Sequence, residues 1–526
     1  MEQEKTAEPS HHEGTEGRRR DDDAAVAEDP NIGKWAAIRQ NPRAFAWAVF
    51  AAWQILLVSY ENQAAGLVVG IPRFRQDFGS YRNGGWVLPP AWQGAHSGGP
   101  VASQAIGALF SGQVADWIGR KRTVMGALVV SFASITVQVL ANTNPMFFGG
   151  KFLNGFAVGT LKAVSTTYIG EVAPLPLRGL MTCLIGLGYT IGPFAVSLIL
   201  NSTGTFDNAW AYRAVFVSQY GVAAISAIFV FFMPESPWWL ANKGGKEKAI
   251  QSLRRLGHSA ETSARRYAEI ELTLEQARSE TSDVSYLECF RASNLRRTMI
   301  SIAPLLIQSL AGSLFMQSYT LYYAQLAGFS GAMSFHIQIA AQVLSIGGNV
   351  VSWFLVDRLG RRLLMLLGVG MLLLICTVQG ALDVLGTTES LRGAVSMCLL
   401  YSFFYNTGIG AVAFTILAEV STSRLRVKTI AFGLCCQNAL NVMWSFTLPY
   451  LFNPDQLALG GKLGFVFAGT SIVSLVYVWF CQPETRGRTY AELDEMFALR
   501  IGARQFKRYK SEVQAQAQSK VVDGDD

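Results

Sequence analysis

Charged residues are scarce in this 526-residue chain: Asp, Glu, Lys and Arg make up 15% of it, against about 25% in a typical soluble protein. The apolar residues, 50% of the chain, are gathered into twelve long runs. Each run holds about 20 residues, enough to cross a hydrocarbon core of about 30 Å as a helix. A soluble enzyme or a nucleic-acid-binding protein is therefore disfavoured, because such runs cannot shield one another from water. The runs lie near residues 46–69, 97–115, 123–142, 146–170, 180–200, 213–233, 299–326, 333–356, 363–384, 391–418, 428–452 and 462–481.

The patterns of a metal or nucleotide site are also missing. The seven cysteines have neither disulfide nor metal-ligand spacing, and the five histidines show no catalytic or metal-binding arrangement. The glycines at 408 and 410 lie in an apolar run, without the strand, turn and helix that a nucleotide fold requires. We therefore expect no metal, no cofactor and no enzymatic activity.

Polar segments divide the chain into five parts. Residues 1–45 contain few apolar residues and no signal-peptide pattern, which predicts a disordered cytoplasmic tail. Residues 241–298 form a polar linker, in which 246–256 and 265–277 resemble short amphipathic helices. The linker separates a first half, 46–240, from a second half, 299–482. A polar cytoplasmic tail, 483–526, completes the chain.

The net charge of +7 arises from 44 Lys and Arg against 37 Asp and Glu. If the N-terminus is cytoplasmic, the short inner loops collect Arg120, Arg178, Arg361 and Arg426. The positive-inside rule then places both termini in the cytoplasm. The basic balance reflects membrane topology, so we expect lipid and not nucleic acid as the surrounding partner.

An internal repeat gives the strongest indication of architecture. Three motifs recur in the same order at an offset of about 245 residues, which indicates two homologous six-helix halves. The pairs are DxxGR at Asp116 and Asp357, ExxxxxxR at Glu171 and Glu419, and Pro-Glu-Ser/Thr at Glu235 and Glu484. All copies fall on the predicted cytoplasmic face.

These motif residues have a physical use as a gate. A carboxylate on one helix and an arginine on the next can pair between the halves only while the inner mouth is shut. The alternative is that they are inner-loop charges that set topology. The residues assigned to the cytoplasmic gate are Asp116, Arg120, Glu171, Arg178, Glu235, Asp357, Arg361, Glu419, Arg426 and Glu484.

From about residue 55 to 497 the chain resembles the sugar porters of the major facilitator superfamily. The motifs that carry the resemblance are GQVADWIGRK, YIGEVAPLPLRG, PESPWWL, DRLGRR and PETRGRTYAELDEMF, and finer features such as YYAQLAG are similar to the fungal alpha-glucoside permeases. The resemblance implies an all-α membrane fold of twelve transmembrane helices in two pseudo-symmetric six-helix bundles. It also implies alternating access around a solute site at mid-membrane, without bond chemistry.

Two ionisable residues lie inside predicted spans, where a charge costs about 2.5 to 3.5 kcal/mol. Glu61 in the first span and Lys151 in the fourth have comparable depths in the outer half and could pair. In proton-coupled sugar porters an acid and an Arg occupy these places, so the resemblance implies that Glu61 and Lys151 couple proton movement to transport. The alternative is a static ion pair that stabilises the first bundle.

Sugar recognition requires amides, hydroxyls and aromatic faces. The family-like candidates for solute binding are Gln308, Phe414 and Asn438, joined along the same helices by Tyr319, Tyr322, Asn441 and Trp444. Each alone is more often a packing residue between membrane helices, whereas together they favour a polar cavity. Five positions depart from the usual sugar-porter pattern through small or apolar residues, which weakens the expectation of a hexose: Gly186, Pro193, Ser309, Leu314 and Ala411.

Three functions follow: proton symport of a sugar or sugar-like solute, transport or export of a non-sugar metabolite such as a quinate-like acid or polyol, and a nutrient sensor that does not transport. The short C-terminal tail disfavours the sensor. We expect a monomer in the plasma membrane, with the vacuolar membrane as an alternative. Asn201 begins a glycosylation sequon on a predicted outer loop.

Overall fold

The computed structural model describes residues 38–82, 85–172, 178–281, 286–421, 425–486, 488, 490–506 and 509. The described residues are almost entirely helical, with one short antiparallel β-hairpin. Residues 1–37 of the predicted N-terminal tail lie outside this part of the chain. The first long helix begins at Pro42, ahead of the predicted boundary at 46.

The first half contains the hairpin and seven helices. The hairpin strands, β1 (Ser80–Arg82) and β2 (Gly85–Val87), pair with Tyr81 opposite Trp86. The helices are α1 (Pro42–Leu67), α2 (Pro72–Phe78), α3 (Pro90–Ile118), α4 (Arg120–Leu140), α5 (Asn144–Val172), α6 (Arg178–Thr203) and α7 (Trp210–Phe232).

Three helices follow the first half: α8 (Pro237–Asn242), which crosses the predicted boundary at 240, and α9 (Lys246–Arg255) and α10 (Ala260–Thr281), which lie within the predicted linker. Ala249, Leu253 and Tyr267 are buried where α9 meets α10. We call the end of the bundle that carries these helices the linker end. The opposite end, which carries the β-hairpin, is the hairpin end.

The second half repeats the long helices of the first, with two of them broken. Its elements are α11 (Ala292–Leu310), α12 (Ser313–Ser318), α13 (Thr320–Leu326), α14 (Gly331–Leu359), α15 (Arg361–Leu385), α16 (Thr388–Thr407), α17 (Ile409–Val420), α18 (Arg426–Phe452) and α19 (Leu463–Cys481). The predicted seventh span breaks at Gly312, whose φ of 88° suits glycine. The tenth breaks at Gly408, which lies directly against Gly368.

Within the described residues, eight helical stretches are long and apolar enough to cross a membrane. The other four predicted spans correspond to α3, α5, the α11–α13 stretch and α18. These carry more glutamine, asparagine and glycine, because they pack against other helices on several sides. The all-α membrane fold of twelve helices in two bundles is thus confirmed.

Each half has its own apolar core. The larger clusters centre on Val158, Leu161 and Ala223 in the first half and on Phe315, Leu372 and Val412 in the second. The halves meet along two helix pairs, α3 with α18 and α6 with α14.

The described residues of the C-terminal segment continue the fold beyond α19. A last helix, α20 (Tyr490–Ala498), buries Leu493 and Met496 together with Phe506. Arg297 of α11 lies 4.9 Å from the centroid of the Phe497 ring. Part of the segment predicted as a C-terminal tail, 483–526, therefore packs against the second half.

Candidate functional site

A buried ion pair joins α1 to α5. Lys151 Nζ lies 2.8 Å from Glu61 Oε1, and their side chains are 0% and 1% exposed. The ammonium also lies 4.6 Å from the centroid of the Phe216 ring in α7. The cation is thus held by a carboxylate and an aromatic face, both of which favour positive charge in an apolar environment.

The second oxygen of Glu61 has a partner that the sequence reasoning missed. Gln219 of α7 donates from Nε2 to Glu61 Oε2 at 2.5 Å, and Gln219 is itself fully buried. The sequence signal for this contact was an amide within an apolar run, in the motif WAYRAVFVSQ. Both oxygens of the Glu61 carboxylate are thus bonded, and protonation of Glu61 would weaken both contacts.

At the linker end of the first half, residues of the three repeated motifs meet. Arg120 forms a bidentate salt bridge with Glu171, with distances of 3.2 Å from Nε to Oε2 and 2.8 Å from Nη2 to Oε1. Glu235 Oε1 accepts from the backbone N–H of Arg120 at 2.8 Å, at the N-terminus of α4. Asp116 bonds Arg120 from an exposed position.

The second half repeats the arrangement. Arg361 Nη2 lies 3.0 Å from Glu419 Oε1. Glu484 accepts from the backbone N–H of Arg361 at 2.9 Å and of Arg362 at 3.2 Å, at the N-terminus of α15. The internal sequence repeat therefore encodes one structural unit twice, in which one glutamate pairs with the arginine and another caps its helix.

In this conformation the gate residues that the structure describes pair within one half, and pairing between the halves while the inner mouth is shut stays a prediction. Arg120 and Glu171 both belong to the first half, and Arg361 and Glu419 both belong to the second. The pairs hold the helices of one bundle together at the linker end, since each arginine meets the glutamate of its own repeat. The side chains of Arg178, Asp357 and Arg426 lie outside the described residues.

The hydrogen bonds that the structure shows between the halves lie at the hairpin end. Gln325 of α13 donates to the Gly70 carbonyl at 2.7 Å and accepts from Arg75 Nη2 at 3.0 Å. Asn453 donates to Gln93 at 2.9 Å, with both side chains buried. The two halves are therefore closed against each other at this end.

Arg75 also stacks over Tyr322, with its guanidinium carbon 5.0 Å from the ring centroid. Burial lowers the pKa of Arg75 from its ordinary value, and the nearby Tyr322 partly offsets this. An arginine remains protonated at neutral pH all the same. Tyr322, expected to bind solute, thus takes part in the closed contact at the hairpin end.

Two further solute candidates are engaged by other protein groups. Gln308 donates to the Ile409 carbonyl at 3.1 Å and accepts from Gln437 at 2.8 Å. Asn441 accepts from Ser309 at 2.7 Å. Gln437 was not anticipated from the sequence, although it directly precedes Asn438. These contacts orient the amides, because each side chain is held by a neighbouring helix.

Of the other solute candidates, two have a polar atom without a hydrogen-bond partner among the described residues. The other two are partly exposed. The Trp444 Nε1 atom is buried and unpartnered. The Tyr319 hydroxyl approaches Gln93 without hydrogen-bond geometry. Phe414 is 42% exposed on α17, and Asn438 is half-buried on α18.

The sequon at Asn201 differs from its predicted setting. It lies in the last turn of α6, half-buried, and the Ser202 hydroxyl donates to the Leu198 carbonyl. The helix extends further than the apolar run, so the residue is not on a loop.

Comparison with known sequences gives a consistent result. A sequence model of the family described as "Sugar (and other) transporter" matches residues 47–497. The general alpha-glucoside permease of Saccharomyces cerevisiae is 29% identical over 496 residues, covering 92% of this chain and 80% of that protein. The alpha-glucosides permease MPH3 of the same species is 30% identical over 502 residues, covering 93% and 83%.

Solved structures share the fold. The xylose transporter XylE from E. coli in a partially occluded inward-open conformation matches with a TM-score of 0.71 at 19% identity, covering 85% of this chain and 100% of that one. The proton:xylose symporter XylE bound to 6-bromo-6-deoxy-D-glucose matches with a TM-score of 0.69 at 21% identity, covering 87% and 100%.

Proposed function

The chain belongs to the sugar (and other) transporter family, and we propose that it moves a saccharide together with a proton. Members of this family are transporters that carry solutes by alternating access, and they are not enzymes. The observation that carries the proposal is the buried contact of Glu61 with Lys151 and Gln219. A carboxylate so placed, inside a membrane span, has a charge that is expensive to bury, and a proton on it would weaken both contacts.

The pair is connected to the contact between the halves through α1 itself. Glu61 lies about one helical turn from Gly66, and Gly66 packs directly against Ser318 in the second half. The helix then continues to Gly70, whose carbonyl accepts from Gln325. Protonation of Glu61 would release α1 from α5 and so change the hairpin-end contact, which links the proton to the conformational cycle.

We infer that the linker end is cytoplasmic, with both termini inside, because the basic residues of the repeated motifs cluster there. In that orientation the closed hairpin end faces outward, and the conformation is inward-facing. We further propose a monomer in the plasma membrane.

The solute is proposed to be an alpha-glucoside. Support comes from the curated relatives, whose names specify alpha-glucosides and maltose. The position of Gly186 on the α6 seam favours a bulky solute, since a side chain there would occupy the space beside Asn349.

A second candidate is a non-sugar metabolite, moved in either direction. Ser309 and Leu314 stand where the resemblance implies amides, and Ser309 holds Asn441 instead of facing solute. A solute with fewer hydroxyl groups would match a pocket with fewer free amides.

The test is uptake of labelled maltose and glucose by yeast cells that lack their own sugar transporters, with and without a protonophore. Accumulation of maltose that the protonophore abolishes is the expected result. Equilibration without accumulation would contradict proton coupling. No uptake of either sugar, with the protein shown at the cell surface, would favour the second candidate.

A further inference from the structure

A second lysine lies within α5, nearer the linker end than the buried ion pair. Lys162 follows Lys151 by eleven residues, which is about 16 Å along the helix. Eleven residues are about three helical turns, so Lys162 shares the face of α5 on which Lys151 meets α1. A cation retained at this depth of a membrane span is a candidate for function, because its charge is costly there.

The Lys162 side chain contacts α6. Its Nζ atom lies 5.5 Å from the centroid of the Tyr189 ring. On α6, Gly188 packs against α1, whereas Gly186 faces α14 of the second half. At about 100° per residue, Tyr189 points between these two neighbours, about 100° from Gly188 and about 60° from Gly186. The lysine and the tyrosine therefore meet at the boundary between the two halves.

Both side chains keep accessible surface at this boundary. Lys162 and Tyr189 are half-buried, in contrast to Lys151, whose side chain is 0% exposed. A solute that lies between the halves can therefore reach the Lys162 ammonium, whereas the Lys151 ammonium is enclosed by protein.

The Lys162 ammonium has no carboxylate partner within the described part of the chain. The acids of the two nearest helices are engaged elsewhere, Glu61 of α1 by Lys151 and Glu171 of α5 by Arg120. The Tyr189 ring stabilises the cation in part, since a ring face attracts positive charge but does not neutralise it. The site thus offers a positive charge to an anion from outside the protein.

We propose that Lys162 binds a carboxylate of the transported solute, so that the solutes include saccharide acids such as glucuronides. The inference rests on the proposed saccharide transport and adds an anionic group to the solute. A carboxylate would accept the charge-assisted hydrogen bond that the Tyr189 ring cannot accept. Because Lys162 lies about 16 Å from Lys151 along α5, the solute charge and the proton would occupy separate sites.

The first experiment measures equilibrium binding to the purified full-length protein at pH 7. The two principal ligands are methyl α-glucoside and methyl α-glucuronide, which share one ring and differ only in the carboxylate at C6. Quinate, a carboxylate on a hydroxylated ring that is not a sugar, is the third. We expect the wild type to bind the glucuronide about 10-fold more tightly than the glucoside, as one hydrogen bond to a charged group predicts.

Three variants test whether this preference depends on Lys162. Lys162→Gln should weaken glucuronide binding about 10-fold and change glucoside binding less than about twofold. Lys162→Arg, which keeps the charge, should retain the preference. The matched control is Lys246→Gln, because Lys246 lies 5.8 Å from the Tyr267 ring centroid in the linker helices, away from the boundary. The control should bind all three ligands as the wild type does. If Lys162→Gln does not fold, Lys162→Met gives the same comparison.

The outcomes separate this inference from the proposed function. Equal binding of the two methyl sugars by the wild type would overturn the inference alone, as would a Lys162→Gln variant that loses both sugars equally. Quinate binding that requires Lys162, without binding of either sugar, would support the carboxylate site and refute the proposed saccharide. Wild-type protein that binds none of the three ligands would refute both.

Discussion

Gln219 donates a hydrogen bond to Glu61 Oε2 at 2.5 Å, on the side of the carboxylate that Lys151 does not occupy. The acid is thus held by a cation and by a neutral amide from two different helices, α5 and α7. Only the cation contact is an ion pair, so the two partners can be separated by mutation.

Removing the amide should weaken the site without abolishing the ion pair. Gln219→Leu leaves Oε2 of Glu61 without its donor, at a cost of about 2 kcal/mol for a hydrogen bond to a charged group. We expect a lower thermal midpoint of the purified protein and weaker uphill accumulation. Gln379→Leu, another buried amide, serves as the control for stability. An accumulation ratio equal to that of the wild type would show that Gln219 has no part in coupling.

The ion pair itself predicts an asymmetry between single and double variants. Lys151→Met leaves the Glu61 charge buried and unpaired, which costs about 3–5 kcal/mol. Combining it with Glu61→Gln removes both charges, so the double variant should recover most of the lost stability. Thermal unfolding of the three variants measures this directly. A double variant less stable than either single one would show that the site is not a charge pair.

We predict that the arginine of each DxxGR motif cannot be replaced by another positively charged residue without loss of function. Arg120→Lys keeps the charge but cannot reproduce the two-pronged contact with Glu171. We expect a lower thermal midpoint and reduced transport, with the same effect from Arg361→Lys at Glu419. Lys243→Arg, at the exposed end of α8, is the control for a change of cation type. Full activity in both lysine variants would show that these motifs serve only as charges that set the membrane topology.

Closure at the hairpin end predicts a change in accessibility. Gln325→Ala removes the bonds to Gly70 and Arg75 that cross between the halves. The closed state should become less populated, so a cysteine introduced at Ser318, beside Gly66, should react faster with a membrane-impermeant thiol reagent from that side. The labelling rate of the same cysteine with Gln325 intact is the reference. An unchanged rate would show that these bonds do not hold the end closed.

Much of the fold could be predicted from the sequence because a membrane span is a strong signal. A run of about 20 apolar residues has few alternatives to a spanning helix, and the repeat at Asp116 and Asp357 fixed the two halves. The breaks at Gly312 and Gly408 could not be read from hydrophobicity, since each depends on a close approach by another helix. Likewise the packed segment around Met496 depends on contacts with distant α11.

The site was less predictable, because partners depend on helix rotation. The apposition of Glu61 and Lys151 followed from their depth along two helices. The sequence could not show that Arg120 meets Glu171 within its own half, since repeated motifs permit either arrangement.

Coupling of proton movement to saccharide transport through Glu61 is tested most directly by recording both fluxes in one preparation. Purified protein in liposomes with an internal pH dye should acidify the lumen when maltose is added outside. The Glu61→Gln/Lys151→Met double variant should exchange maltose without any acidification. Acidification that persists with maltose exchange in the double variant would contradict the account and leave the buried pair a purely structural role.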